Sequence, residues 1–413
     1  MKTSVLGFFT HLFPNFAFMK FPKNLDEKLE IRQQNNALRE LPLSTNSLVD
    51  FSSNDYIGFS KNKTIFDETH QYLLDNNCFQ NGATGSRLLS GNHKVYQEAE
   101  NKIAQFHQAN SALIFNSGYD ANVGFFSSVP QKGDLILFDE LCHASIRDGI
   151  KMSNAKSYKF NHNDFEDLEK LIQRCHIDRC RDGANREVYI VTETVFSMDG
   201  DCPNMEELVA VSNKYNCYLV VDEAHALGVF GNPEVSGSEG LIQMLGLQDQ
   251  VFARILTFGK GLGCHGAAIV GGKQLKKFLV NFARSFIYTT GLSPHSVATI
   301  LIAYRHLETH KTNITILREN ILHFNQEKNI LGLKPLFVRS KSAIQSAIIP
   351  GNQNVKSIAK QLQEAGFDVR PILSPTVPEG QERLRFCLHS YNSAAEISEL
   401  LRLLSTFVFG PRI

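Results

Sequence analysis

Seven short strand-like runs, each four to six residues long, constrain this chain more than any other feature: 112–115, 135–138, 156–160, 188–193, 218–222, 254–258 and 267–271. Each ends in a polar or glycine-rich cluster, and stretches of helical pattern separate them. Runs of this length and composition suit strands buried on both faces, and helical connections make the sheet mainly parallel. The expected class is therefore α/β, a seven-stranded mainly parallel sheet with helices on both sides. In such a sheet, reactive side chains gather beyond the carboxyl ends of the strands.

The stretch 218–266 places chemistry there most densely. Tyr218-Leu219-Val220-Val221 runs into Asp222-Glu223-Ala224-His225, and the next run delivers Gly259-Lys260-Gly261. Three readings compete. A nucleotide-hydrolysing motor would carry G-x-x-x-x-G-K-[ST], and neither Gly259-Lys260 nor Gly272-Lys273 sits in that frame. A dinucleotide site would place a helix after Gly261-Leu262-Gly263-Cys264-His265-Gly266, whereas 267–272 reads as another strand. The third reading pairs a lysine that bonds covalently to a pyridoxal aldehyde with an aspartate for the pyridinium nitrogen, and it meets no such objection.

Other strand ends supply further groups. Ser117-Gly118-Tyr119 follows the first run and opens a helix, where backbone N–H groups suit a phosphate. His143 follows the second run and Ser197 the fourth. One histidine alone is more often structural, but two histidines, an aspartate, a serine and a lysine at the ends of one sheet form a site. Gly82-Ala83-Thr84-Gly85-Ser86-Arg87 and Ser90-Gly91-Asn92 are open to two readings, an anion cradle or a plain turn.

At 413 residues the chain exceeds one core, so a large and a smaller domain are expected. The divisions fall at 1–50, an N-terminal extension and helix; 51–294, the large domain; and 295–413, a compact α+β C-terminal domain. Within the last, 295–333 is helical, 342–350, 366–371 and 383–388 are strand-like, and 394–407 closes as a helix. Segment 25–41 reads as a surface helix and 49–56 as a short strand. Lys and Arg balance Asp and Glu at 42 each, which points away from nucleic acid. Eight cysteines without C-x-x-C pairs suit reduced thiols in the cytoplasm, and Cys175, His176 and Cys180 lack the second ligand pair of a zinc site, so no metal is expected. No run approaches the length of a membrane span. The first twenty residues only faintly imitate a signal peptide and read as an extension, with Met19 as an alternative start.

The motifs S-S-N-D-Y-I-G, G-A-T-G-S-R-L-L-S-G, N-S-G-Y-D-A-N, F-D-E-L-C-H-A-S, F-S-M-D-G-D, V-D-E-A-H-A-L-G-V-F-G and T-F-G-K-G-L-G follow one another from about residue 52. In that order they resemble the α-oxoamine synthases, fold-type-I pyridoxal phosphate (PLP) transferases that join an amino acid to an acyl thioester with loss of carbon dioxide. The biotin-pathway branch, which uses alanine and a pimeloyl thioester on coenzyme A or a carrier protein, is the most similar. The resemblance implies pyridoxal 5'-phosphate held covalently by Lys260, with Asp222 at the pyridine nitrogen, His143 stacked on the ring, and His225 and Ser197 near its 3-oxygen. It further implies Ser117, Gly118, Tyr119 and Thr257 against the cofactor, and Thr289 and Thr290 reaching the phosphate of a neighbouring subunit in a homodimer with shared sites.

For the substrate, the resemblance implies Asn54 and Arg385 at the amino-acid carboxylate and Arg39, an N-terminal arginine, facing the substrate. One departure stands out: Leu373 occupies a position that is arginine in many biotin-pathway members, with Arg370 nearby. Rival readings keep the fold and change the substrate, to glycine with acetyl-CoA or succinyl-CoA or to serine with a long-chain thioester. An aminotransferase would need a keto-acid acceptor, and a non-catalytic partner subunit would be expected to lack Lys260.

Overall fold

The computed structural model describes residues 21–39, 41, 48–182, 186–232, 238–309 and 311–410, with backbone alone for 175–182. The twelve strands are β1 (Val49–Asp50), β2 (Ser111–Phe115), β3 (Leu135–Asp139), β4 (Lys156–Phe160), β5 (Val188–Glu193), β6 (Tyr218–Asp222), β7 (Ala253–Thr257), β8 (Ala267–Gly271), β9 (Ile344–Ile348), β10 (Phe367–Asp368), β11 (Arg370–Ile372) and β12 (Arg383–Cys387).

Seven of them form one sheet in the order β2-β8-β7-β6-β5-β3-β4. Only β8 runs against its neighbours β2 and β7; the other pairings are parallel. The seven expected runs are all present. β5 is buried along its whole length, as a central strand covered on both faces must be. At the edge, β4 exposes Lys156-Ser157-Tyr158-Lys159, and its lysines discourage pairing with another strand.

Two apolar layers sandwich the sheet. One joins Leu113, Ile136, Val191, Val220, Ile255 and Ile269 to Phe125, Phe126 and Ile146 of the helices Gly118–Ser128 and Ala144–Lys151. The other is larger and runs from Tyr96 and Ile103 through Leu219, Val221 and Leu256 to the C-terminal helices. Each buried Leu, Ile, Val or Phe contributes about 1.5–3 kcal/mol, so the strand ends are held on a stiff platform.

Beyond the sheet, β11, β12 and β9 form an antiparallel three-stranded sheet, and β1 pairs with β10. Helix Ala394–Phe409 starts with a capping box between Ser393 and Glu396. Two expectations need correction. The strand expected over 49–56 stops at Asp50, because Asp50 Oδ1 captures the N–H groups of Ser52 and Ser53 and turns the chain. The surface helix expected over 25–41 stops at Gln34, whereas the helical reading of 295–333 holds as two helices, Pro294–Thr309 and Thr312–Ile330. The N-terminal helix is Lys23–Gln34 and buries no side chain, while residues 1–20, with the reading of Met19, lie outside the described residues.

Candidate active site

Strand direction gathers the site. Asp139, Glu193, Asp222 and Thr257 end parallel strands, and Phe115 ends β2 level with Thr257, both paired to Ala267 of β8. The loops that leave this edge carry Ser117, His143, Ser197, His225 and Lys260.

Lys260 Nζ lies 2.9 Å from His225 Nε2, and His225 Nδ1 lies 2.6 Å from the hydroxyl of Tyr56. That hydroxyl donates to Asn54 Oδ1 at 3.0 Å. Arg385 Nη2 donates to the same oxygen at 2.9 Å, and its Nε donates to the Ser197 carbonyl at 2.7 Å. A line of contacts thus runs from the lysine to the arginine. Burial lowers the Lys260 pKa, and the Asp222 and Glu193 carboxylates oppose that fall. His225 is pushed well below the ordinary histidine range by burial and then by Lys260, so the imidazole is neutral.

A second line holds the carboxylate. Asp222 is buried; its Oδ1 accepts the Ala224 N–H at 2.8 Å and its Oδ2 accepts from Asn122 Nδ2 at 2.8 Å. Asn122 Nδ2 also reaches Ser145 Oγ at 3.0 Å, and Ser145 Oγ sits 2.8 Å from His143 Nδ1. The Ser145 N–H donates to the same His143 nitrogen at 3.2 Å. Nδ1 therefore acts as acceptor, and the neutral ring carries its proton on Nε2. Burial and the Lys260 charge lower the His143 pKa in agreement. His143 is nonetheless an exposed residue.

A third group surrounds a helix N-terminus. Ser117 caps helix Gly118–Ser128 by accepting the Asp120 N–H at 3.0 Å. A Cβ at Gly118 would stand 2.5 Å from Thr257 Oγ1, so the helix start and that threonine are in direct contact. Asn116 Nδ2 donates to Thr289 Oγ1 at 3.1 Å and to the Thr290 carbonyl at 2.6 Å. The free N–H groups and dipole of the first turn, beside the Thr257 hydroxyl, fit a phosphate. Together the three groups fit pyridoxal phosphate: an amine, a carboxylate for a ring nitrogen, an exposed histidine, and an anion cradle.

Two expected residues stand apart. The Tyr119 hydroxyl donates to Asp148 at 3.0 Å, and its ring is half exposed. Arg39 lies on the 371–376 loop, donating to Thr376 Oγ1 at 3.1 Å. It lines a cavity of about 260 Å³ with Arg32, Leu38, Ile372, Leu373 and Pro375. Arg370 is paired with Asp368 at 2.8 Å and does not take over the position that Leu373 holds. The glycine loop at 82–92 is a packed turn: Arg87 is engaged by Glu100, Asn92 and the Ile114 carbonyl, and a Cβ at Gly91 would collide with Gly85 O.

Sequence reasoning missed Tyr56, Asn122, Ser145 and Glu193. Glu193 accepts the His143 N–H at 2.6 Å, pairs in register with Asp222, and is pushed up to about 8 by burial and by Asp222. Its place at the end of a strand was the available signal. Asn122 lies four residues past Gly118, one turn along the same helix, and that spacing was likewise readable.

Comparison with known proteins agrees with this geometry. The family described as Aminotransferase class I and II matches residues 46–404. An 8-amino-7-oxononanoate synthase of Emericella nidulans is 41% identical over 403 residues, spanning 93% of this chain and 95% of that one. The crystal structure of 8-amino-7-oxononanoate synthase from Francisella tularensis superposes with a TM-score of 0.73 at 28% identity, covering 88% of this chain and 98% of that one. A serine palmitoyltransferase from S. paucimobilis, solved with bound PLP and myriocin, gives a TM-score of 0.81 at 25% identity, covering 93% and 96%.

Proposed function

Because the chain belongs to the class I and II aminotransferase family and, within it, to the α-oxoamine synthases, we propose that it condenses L-alanine with a pimeloyl thioester, releasing the free thiol, carbon dioxide and 8-amino-7-oxononanoate. The observation that carries this reading is the Lys260 amine, its pKa lowered by burial, beyond the strand next to the one that ends in Asp222.

Lys260 would hold pyridoxal phosphate, Asp222 its ring nitrogen, His143 its ring face, and His225 and Ser197 its 3-oxygen. The segment Ser117, Gly118 and Tyr119 would lie against the cofactor, and Thr257 would hold its phosphate. When bound, that cofactor withdraws electrons from the amino acid's Cα, which weakens the bonds to hydrogen and to a carboxyl group. Asp222 supports that withdrawal: Asn122 and the Ala224 N–H hold its carboxyl group where it would face the ring nitrogen. Arg385 and Asn54 orient the alanine carboxylate, the guanidinium offering two parallel donors. Lys260 Nζ, once free, takes the Cα proton; a depressed pKa makes a larger share of the amine neutral near pH 7. Arg39, with the apolar walls around Leu373, faces the acyl chain.

We further read the chain as a cytoplasmic homodimer whose partner supplies Thr289 and Thr290 to the other site, with 51–294 as the cofactor domain and 295–413 as the C-terminal domain. The six cysteines with described side chains are free thiols, in keeping with a reducing compartment, and no described helix is long and apolar enough to cross a membrane.

The test is turnover of L-alanine, glycine and serine with pimeloyl-CoA and with the pimeloyl carrier-protein thioester, following carbon dioxide release and product mass. Alanine-dependent 8-amino-7-oxononanoate supports the reading, and the faster thioester identifies the donor. Turnover confined to glycine or serine would move the chain to another branch of the family.

A further inference from the structure

Tyr56 is fully buried, and its hydroxyl sits between His225 Nδ1 at 2.6 Å and Asn54 Oδ1 at 3.0 Å. Arg385 fixes which way the Asn54 amide faces, because a guanidinium only donates and therefore meets Oδ1, at 2.9 Å. The Tyr56 hydroxyl has one proton. Two oxygens 3.0 Å apart need a proton between them, so it lies toward Asn54. His225 Nδ1 must then be the donor to Tyr56 Oη, and its Nε2 carries a lone pair toward Lys260.

We propose that in the cofactor-free chain Tyr56 is a positioning residue that holds His225 in the Nδ1–H tautomer, so that Nε2 accepts an N–H of Lys260 and leaves the amine's own lone pair free for the cofactor's aldehyde. This rests on Lys260 being the reactive amine of the proposed function. The opposite tautomer would donate from Nε2 into the Lys260 lone pair and block the amine as a nucleophile. Because Arg385 orients Asn54, the guanidinium at the amino-acid carboxylate also stands behind this proton arrangement. Burial keeps the phenol protonated, which the arrangement requires.

The test uses Tyr56→Phe in the full-length chain, which removes one oxygen and keeps the ring. Nitrogen-15 spectra of the histidine-labelled, cofactor-free chain, with His225 assigned by its loss in His225→Gln, should show Nδ1 protonated and Nε2 bare in the wild type. In Tyr56→Phe the two tautomers should mix, and the rate at which added pyridoxal phosphate is captured by Lys260, followed by its visible absorbance, should fall about 10-fold or more, the scale of a displaced reacting group. Asn54→Leu is the second variant, needed if Tyr56→Phe fails to fold. It removes the acceptor, so the Tyr56 proton should turn to Nδ1 and His225 should become Nε2–H. A wild-type His225 protonated on Nε2, or an unchanged tautomer in both variants, would overturn the proposal. The spectra do not depend on turnover, so an inactive protein with the expected tautomer would count against the proposed reaction alone.

Discussion

The strand ends around Lys260 and the loop after β11 hold their polar groups in opposite ways. At the strand ends, Lys260, His225, Tyr56, Asn54 and Arg385 form one unbroken line of contacts, and Asp222, Asn122, Ser145 and His143 form another. At 371–376, Arg39 makes a hydrogen bond to Thr376, and Leu38, Ile372, Leu373 and Pro375 line the cavity beside it. Under the function proposed above, the contrast separates chemistry from selection. A donor and acceptor set fixed this tightly tolerates little change, whereas an apolar slot changes its preferred occupant with one side chain.

Breaking the tight region should cost most. Lys260→Ala is expected to abolish the cofactor-dependent visible absorbance and to lower turnover by about 10⁴-fold or more, since it removes both the covalent anchor and the base. Full turnover in that variant would remove the distinction between the two regions. Arg385→Leu comes next. Loss of charge-assisted hydrogen bonds of about 1.5–3 kcal/mol each should raise KM for alanine roughly 10- to 100-fold and leave KM for the thioester nearly unchanged. Equal effects on both substrates would show that Arg385 supports the fold rather than the carboxylate.

Two titrating groups sharpen the comparison without touching the reaction. His162 joins Asp139, at the end of β3, to Asp201 at 2.9 and 2.8 Å, and is pushed up to about 10. The folded state keeps a proton that the unfolded chain releases near 6.5, so this stabilisation is full below pH 6.5 and is lost as pH rises to about 10. Lys328, in helix Thr312–Ile330, is buried against Gln345, Phe324 and Phe337 and is lowered to about 8. Its contribution has the opposite sign, with stability rising between pH 8 and 10.5 as the unfolded amine loses its advantage in binding a proton. Urea unfolding from pH 6.5 to 10.5 should show a shallower decline in His162→Gln and a steeper one in Lys328→Met, each by on the order of 1–3 kcal/mol. Identical profiles for both variants and the wild type would remove both groups from the account.

What could be read in advance follows the same division. The seven strands were legible because buried strands announce themselves as apolar runs, and Lys260, His225, Asp222 and His143 were legible because they follow those runs directly. Tyr56 was hidden, since it acts through a contact 169 positions away and its local sequence is only a polar turn. Glu193 looked like the last residue of a strand, and only the register that sets it beside Asp222 gives it a role. The same limit applies to 371–376, where sequence showed that Leu373 stands in an arginine's place and could not show that Arg370 is already paired with Asp368.

The smallest expected effect tests the selective region itself. Leu373 packs against the main core and lines the cavity with Ile372 and Leu38. Leu373→Arg would set a third guanidinium beside Arg32 and Arg39. If the acyl chain ends in a free carboxylate that reaches this cavity, the added cation should lower KM for the pimeloyl thioester severalfold at low salt. Exposed charge pairs contribute at most about 1 kcal/mol, so the gain should fade as salt rises. The alanine KM and kcat should stay within about twofold, because the lines of contacts through Lys260 and Asp222 do not include this loop. An uncharged acyl chain of similar length should instead bind worse, as apolar wall is replaced by a cation. Weakening of both thioesters alike would mean that Leu373 supports the loop and does not select the chain. Strengthening of the carboxylated one alone would locate the choice of acyl substrate in this loop, apart from the strand ends.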